Sequence, residues 1–102
     1  MNKVQKKFIK AGFSHELVKR TGVVAIYKRQ HPRTPHPHYE IVKISKHNGY
    51  KMGGQYIEAA ETYPGASLWG LQGWTVADLG RAEVYFKKAC KRFNKKSALK
   101  YA

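Results

Sequence analysis

Between Phe13 and Gln30 the chain reads FSHELVKRTGVVAIYKRQ, a polar stretch that gives way to an apolar one. The β-branched Val23, Val24 and Ile26 mark the second half as a strand, and Thr21-Gly22 supplies turn chemistry before it, so the pattern predicts a hairpin. Upstream, Val4 to Lys10 is a short amphipathic piece that cannot hold a helix without tertiary support, and Gly12 breaks it. Downstream, HPRTPHPH (31–38) places three prolines in eight positions, which removes backbone donors and predicts a loop. In YEIVKIS, Tyr39, Ile41 and Lys43 alternate with Glu40, Val42 and Ile44. Both sets are mixed, as in a strand covered on both faces. KHNGYKMGG is rich in turn residues, with Asn48-Gly49 suited to a tight reversal, and a short strand is expected near Gln55 to Ala59.

Helical periodicity dominates after Thr75. At about 100° per residue, Leu79, Ala82, Phe86, Ala89, Cys90 and Phe93 fall within one arc, while Arg81, Lys87, Lys88, Lys91, Arg92 and Lys95 occupy the opposite one. Thr75, with Asp78 three residues on, suggests a capping box at the start. The basic residues gather toward the C-terminal end, where the helix dipole favours cations. These elements predict an α+β fold: a small antiparallel sheet of three to five strands packed against one long C-terminal helix. A chain of 102 residues is expected to be one basic domain, with residues 1–11 and 97–102 as flexible ends.

Just before the helix, LWGLQGWTVADLG sets Trp69 and Trp74 around Gly70 and Gly73. Two arrangements suit such a segment: a platform of rings open to a ligand, or a plug that closes a small core. Bases stacked on rings need cations nearby for the phosphates. Residues 54 to 80 contain no Lys or Arg, which favours the plug, with both indoles folded over the apolar side of the helix.

Charge then changes the picture. Twenty Lys and Arg face six Asp and Glu, a formal net charge of +14. Residues 1–53 hold twelve of these cations and residues 81–102 hold eight, so two basic blocks flank an uncharged-to-acidic middle. Such a surplus calls for a polyanionic partner. Tyr27-Lys28-Arg29, Lys46-His47 with Tyr50-Lys51, and Lys100-Tyr101 each set a ring beside cations, a mixture that serves phosphates and bases together. The expected activity is non-catalytic nucleic-acid binding, DNA or RNA, mainly through phosphates. Its candidate residues are Lys28, Arg29, Lys46 and Lys51 from the sheet side with Lys88, Arg92, Lys95 and Lys96 from the helix. The expectation requires the two blocks to converge in space.

Other chemistries find less support. His31, His36 and His38 with Glu40 invite a metal, but a proline-stiffened loop without cysteine gives no fixed ligand spacing, and no metal or cofactor is expected. Cys90 lies on the predicted core face of the helix, where a thiol away from a base is inert. No carboxylate pair forms a readable motif for acid–base or two-metal chemistry, so the chain is not expected to be an enzyme. A metal-dependent nuclease using the histidine loop is the remaining catalytic alternative. No apolar run approaches the roughly 18 residues that span a bilayer, and the start lacks a secretory apolar stretch. With one unpaired cysteine, the expected setting is the cytoplasm.

The run from YEIVKI through WGLQG to DLGRAEVYFKKACKRFNKKS resembles a small WGR domain, over roughly residues 39–97. Trp69, Gly70 and Gly73 match the family's W-G-R-x-G, and Leu79, Ala82 and Phe86 with the lysines beyond match its following helix. Leu71 stands where the family has its arginine. The resemblance implies antiparallel strands crossed by one helix and a part in nucleic-acid recognition, without the family's DNA-end contact. In size and composition the chain is also similar to small basic accessory proteins of phages. That likeness implies an alternative, an inhibitor that binds an acidic host protein or a ribonucleoprotein complex.

Overall fold

A computed structural model describes residues 3–94. In chain order its strands are β1 (Lys7–Lys10), β2 (Phe13–Thr21), β3 (Val24–Gln30), β4 (His38–Lys43), β5 (Ser45–His47), β6 (Tyr50–Met52), β7 (Gln55–Ile57), β8 (Ala60–Thr62) and β9 (Gly73–Val76). A 3₁₀ turn at Ala66–Leu68 precedes β9, and helix α1 (Leu79–Phe93) follows it. Strands β1 to β4 form an antiparallel meander, and β9 adds outside β4 to give the order β1-β2-β3-β4-β9. Pairing of β5 with β8 and of β6 with β7 makes residues 45–62 a separate arm that leaves the sheet after β4. The fold is the expected α+β arrangement of an antiparallel sheet against a C-terminal helix.

Alternation along the two central strands covers both faces of the sheet. Val24, Ile26 and Ile41 point to one side, where they pack with Ala82, Phe86 and Ala89 of α1. Ala25, Tyr27, Val42 and Ile44 point to the other, under Val4, Phe8, Leu17, Tyr63 and Trp69. All seven of these residues from 24–44, and the three helix residues, are buried to within a few per cent of complete exclusion, each large side chain stabilising the fold by about 1.5–3 kcal/mol.

A bulge in β2 decides which basic residues reach which face. Leu17 pairs with Tyr27 and Lys19 pairs with Ile26, so Val18 is an extra residue and the side-chain alternation reverses there. Lys19 therefore turns to the helix side, bonding Glu83 at 2.8 Å and lying over the Phe86 ring at 4.8 Å. Arg20 turns to the other side and grips Glu61 with both terminal nitrogens, at 2.8 and 2.7 Å.

Four local expectations change. Lys7–Lys10 is a strand and not a helical turn, because Ala11-Gly12, at φ 53° and 81°, folds it back on Phe13–Glu16. The arm reverses at Gly53-Gly54, both at positive φ, and Asn48-Gly49 lies between β5 and β6. Asp78 caps α1, accepting from the Arg81 amide at 2.7 Å. Thr75 belongs to β9, and its hydroxyl accepts from Trp69 Nε1 at 3.0 Å. The indoles also divide. Trp74 packs on the helix side near Phe93, whereas Trp69 covers the opposite face, because the turn at Gly70 (φ 90°) separates them across the sheet edge.

Candidate nucleic-acid interface

Helix α1 buries Ala82, Phe86 and Ala89, which leaves its remaining faces to Arg81, Lys87, Lys88, Lys91 and Arg92. Between that helix and the edge strand β9 runs a groove of about 210 Å³ lined by Trp74, Tyr85, Lys88, Ala89 and Arg92. Trp74 is half-buried, so one part of its indole holds the core while the rest forms the groove wall. Phe93 follows in the chain: Arg92 lies over its ring at 5.2 Å and Lys43, arriving from β4, at 5.6 Å. Each contact is worth about 0.5–1 kcal/mol at an exposed site, and together they hold cations from both basic blocks at Phe93, whose ring centroid lies 6.4 Å from that of Trp74. Phosphates and unpaired bases are the chemistry that such a set of rings and charges can hold.

The candidate cations do not all come to this place. Lys88 and Arg92 line the groove. Lys46, exposed on β5, sits opposite Glu61 in the ladder of the arm, and Lys51 is exposed farther along that arm on β6. Lys28 lies at the other end of the sheet, across from Tyr39. Arg29 points away from the helix altogether and pairs with the buried Glu40 at 3.3 Å, so it is not a free phosphate ligand on the helix side. Lys95 and Lys96 lie outside the described residues. Convergence is thus partial: Lys43, Lys88 and Arg92 meet, whereas Lys28 and Arg29 stand apart from them. The groove also revises the reasoning from sequence about residues 54–80. Trp74 has no cation near it in the chain, yet α1 brings two to it across 14 and 18 positions.

Searches of family models, curated proteins and solved structures return no match to this chain.

On the opposite face lies a cluster that the sequence did not reveal. Glu40, 5% exposed, accepts from the Tyr63 hydroxyl at 2.5 Å through Oε1, faces His15 Nε2 at 3.3 Å with the same oxygen, and meets Arg29 Nη1 through Oε2. His15 is equally buried, and its Nδ1 donates to the Phe13 carbonyl at 3.0 Å. Phe8 stacks on the His15 ring with centroids 4.7 Å apart. Burial, with Glu40 beside it, pushes the Tyr63 phenol well above its ordinary range and keeps it a donor. The histidine loop contributes little to this cluster: His31 packs edge-on to Phe13 and accepts from the Arg33 amide. Among the described residues no three His, Cys, Asp or Glu side chains gather to hold a metal ion. Burial raises the Cys90 thiol above its usual range, which leaves it a poor nucleophile.

Proposed function

We propose that this protein binds nucleic acid without catalysing its cleavage, mainly through phosphate contacts, along the groove between α1 and β9. One observation carries the reading: Lys88 and Arg92 share a groove with Trp74 and Tyr85, and Lys43 joins them at Phe93. The cations neutralise the backbone, while the two rings offer surface to any base that leaves its stack. Phosphate binding of this kind carries little sequence preference, and the net charge of +14 steers a polyanion toward the molecule from a distance. The setting in which we place it is the cytoplasm.

Fluorescence anisotropy of a labelled duplex and a labelled single strand, measured across salt concentrations, tests the reading. Affinity falls steeply with salt, and alanine at both Lys88 and Arg92 removes two phosphate contacts, which lowers the slope of log K against log salt by about 1.8 on duplex DNA. Both side chains are exposed, so the variant keeps its fold. A flat salt dependence, or a slope that this double replacement leaves unchanged, overturns the assignment.

A further inference from the structure

Glu40 and His15 form the floor of a cleft of about 420 Å³ on the face opposite the helix, within the range of about 300–1,000 Å³ typical of small-ligand sites. Its walls are Phe13 and Trp69, and Lys10, Ala11, Arg29 and Ala66 complete it. Two hydrogen-bonding positions on the floor are unspent. Glu40 Oε1 is engaged by Tyr63 and His15, whereas among the described residues Oε2 meets Arg29 Nη1 alone, which leaves it room for a further donor. Arg29 Nε, within the same guanidinium, is buried and has no hydrogen-bond partner among the described residues. The ion pair thus keeps one acceptor, at Glu40 Oε2, and one donor, at Arg29 Nε. At the mouth, exposed Lys10 holds its ammonium over the Tyr63 ring at 5.3 Å.

We propose that this cleft takes one unpaired base of a nucleic-acid strand. The proposal rests on the nucleic-acid reading above and extends it to the other face. A nucleobase is flat, offers an adjacent donor and acceptor on its pairing edge, and is tied to a phosphate. Those three properties answer, in order, the Trp69 ring with the Arg29 guanidinium that lies over Phe13 at 4.5 Å, the acceptor Glu40 Oε2 with the donor Arg29 Nε, and the ammonium of Lys10. A path from the groove exists around the sheet edge. Strand β9 is terminal in the sheet, with Trp74 on its helix side and Trp69 tied to its Thr75 hydroxyl on the cleft side. A strand whose phosphates lie along α1 can round β9 and deliver a base to the cleft.

Titrating the ¹⁵N-labelled full chain with the four 5′-ribonucleoside monophosphates, and separately with inorganic phosphate, tests this. Nucleotides shift the amides of Lys10, Phe13, His15 and Ala66 to Trp69 saturably, and phosphate at equal concentration does not. Ala66→Trp, at an exposed position on the rim, fills the mouth, abolishes those shifts and weakens single-strand binding roughly tenfold, with duplex affinity changed less than twofold. Lys10→Glu, exposed on β1, serves as a second variant and weakens nucleotide binding at least about fivefold, the scale of one lost charge-assisted phosphate contact. Equal shifts with phosphate, shifts confined to Trp74, Tyr85, Lys88 and Arg92, or shifts that survive both variants overturn the proposal. Duplex binding that stays salt-dependent without nucleotide shifts in the cleft sinks the cleft alone. Nucleotides that titrate the cleft while duplex binding ignores salt sink the groove and leave the cleft standing.

Discussion

Alanine at Gly73 drives a methyl group into the Trp69 indole. An ideal Cβ built there falls 2.6 Å from Cζ3, 2.7 Å from Cε3 and 2.9 Å from Cη2 of that ring, against an ordinary carbon contact of about 3.5–4.0 Å. The indole cannot simply swing away, because Nε1 is bonded to Thr75 Oγ1 at 3.0 Å and its other surroundings are Tyr63 and the buried residues beneath. Overpacking of this kind costs about 1–3 kcal/mol, and a loosened hydrogen bond adds about 1 kcal/mol. Gly73 lies in a strand at an ordinary φ, so alanine also recovers about 0.5–1 kcal/mol of backbone entropy. The net loss is about 1–3 kcal/mol, enough to move a urea midpoint by of order 1 M.

Two neighbouring glycines isolate the cause. Gly65 has an ordinary φ and nothing within 4 Å of an added Cβ, so Gly65→Ala is neutral or stabilises by up to about 1 kcal/mol. Gly70 is equally open but sits at φ 90°, and Gly70→Ala costs about 1–3 kcal/mol through the backbone alone. Trimming the ring separates the two losses: Trp69→Phe relieves the Gly73→Ala clash and leaves the Gly70→Ala strain untouched. Urea unfolding followed by far-UV circular dichroism, run as a double-mutant cycle, reads a coupling of at least about 1 kcal/mol between positions 69 and 73. If Gly73→Ala costs no more than Gly65→Ala, or adds strictly to Trp69→Phe, the steric account of the W-G-x-x-G segment is wrong.

Two further predictions concern charge and capping. Hydrogen bonds from Arg20, with a further one from the Val4 amide, hold the Glu61 carboxyl at about 2, below its ordinary 4.5. A depressed folded value means that this stabilisation is complete above about pH 4.5 and is lost as pH falls toward 2. The stability gap between the wild-type chain and Glu61→Gln, read as urea midpoints, is therefore widest above pH 5 and narrows in acid; a gap that widens on acidification contradicts the clamp. Asp78→Ala removes the cap of α1 and costs about 1 kcal/mol, whereas Asp78→Asn stays within a few tenths of wild type, measured as the ellipticity and midpoint of the same transition.

Local patterns in the sequence carried the β2–β3 hairpin, the covered strand β4 and helix α1, because each follows from neighbours in the chain. Strand β9 was not legible. Its four residues form a short run that opens on Gly73 and includes Thr75, which reads equally as a helix cap, and they are a strand because β4 offers an edge to pair with. The arm misled for the opposite reason, since it holds two turn-competent glycine sites and nothing local says which one reverses the chain. The groove depends on α1 doubling back along the sheet, so a charge count by segment could not find it. For the cleft, one signal was available. Glu40 alternates with Val42 and Ile44, and a carboxylate on an apolar face must find partners. The pattern did not say that these partners would be His15, Arg29 and Tyr63, which come from three separate segments.

A sheet covered on both faces leaves little open surface of its own, so recesses form where the covering elements stop short. The groove opens where one flank of α1 meets the β9 edge, and the cleft opens where the 63–69 segment meets β1 and β2. The placement of the acids reinforces this division. Glu61 fastens Arg20 and the Val4 amide, Glu83 fastens Lys19, and Glu40 serves three partners at once. These three carboxylates hold covering elements to the sheet, and each lies away from the Trp74 groove. Had one of them stood beside Lys88 or Arg92, the ion pair would have had to break before a phosphate could bind. With these three acids committed to the fold, the cations at the groove meet a polyanion with little to displace but water and counterions. That is the condition under which salt dependence reports the number of phosphates held.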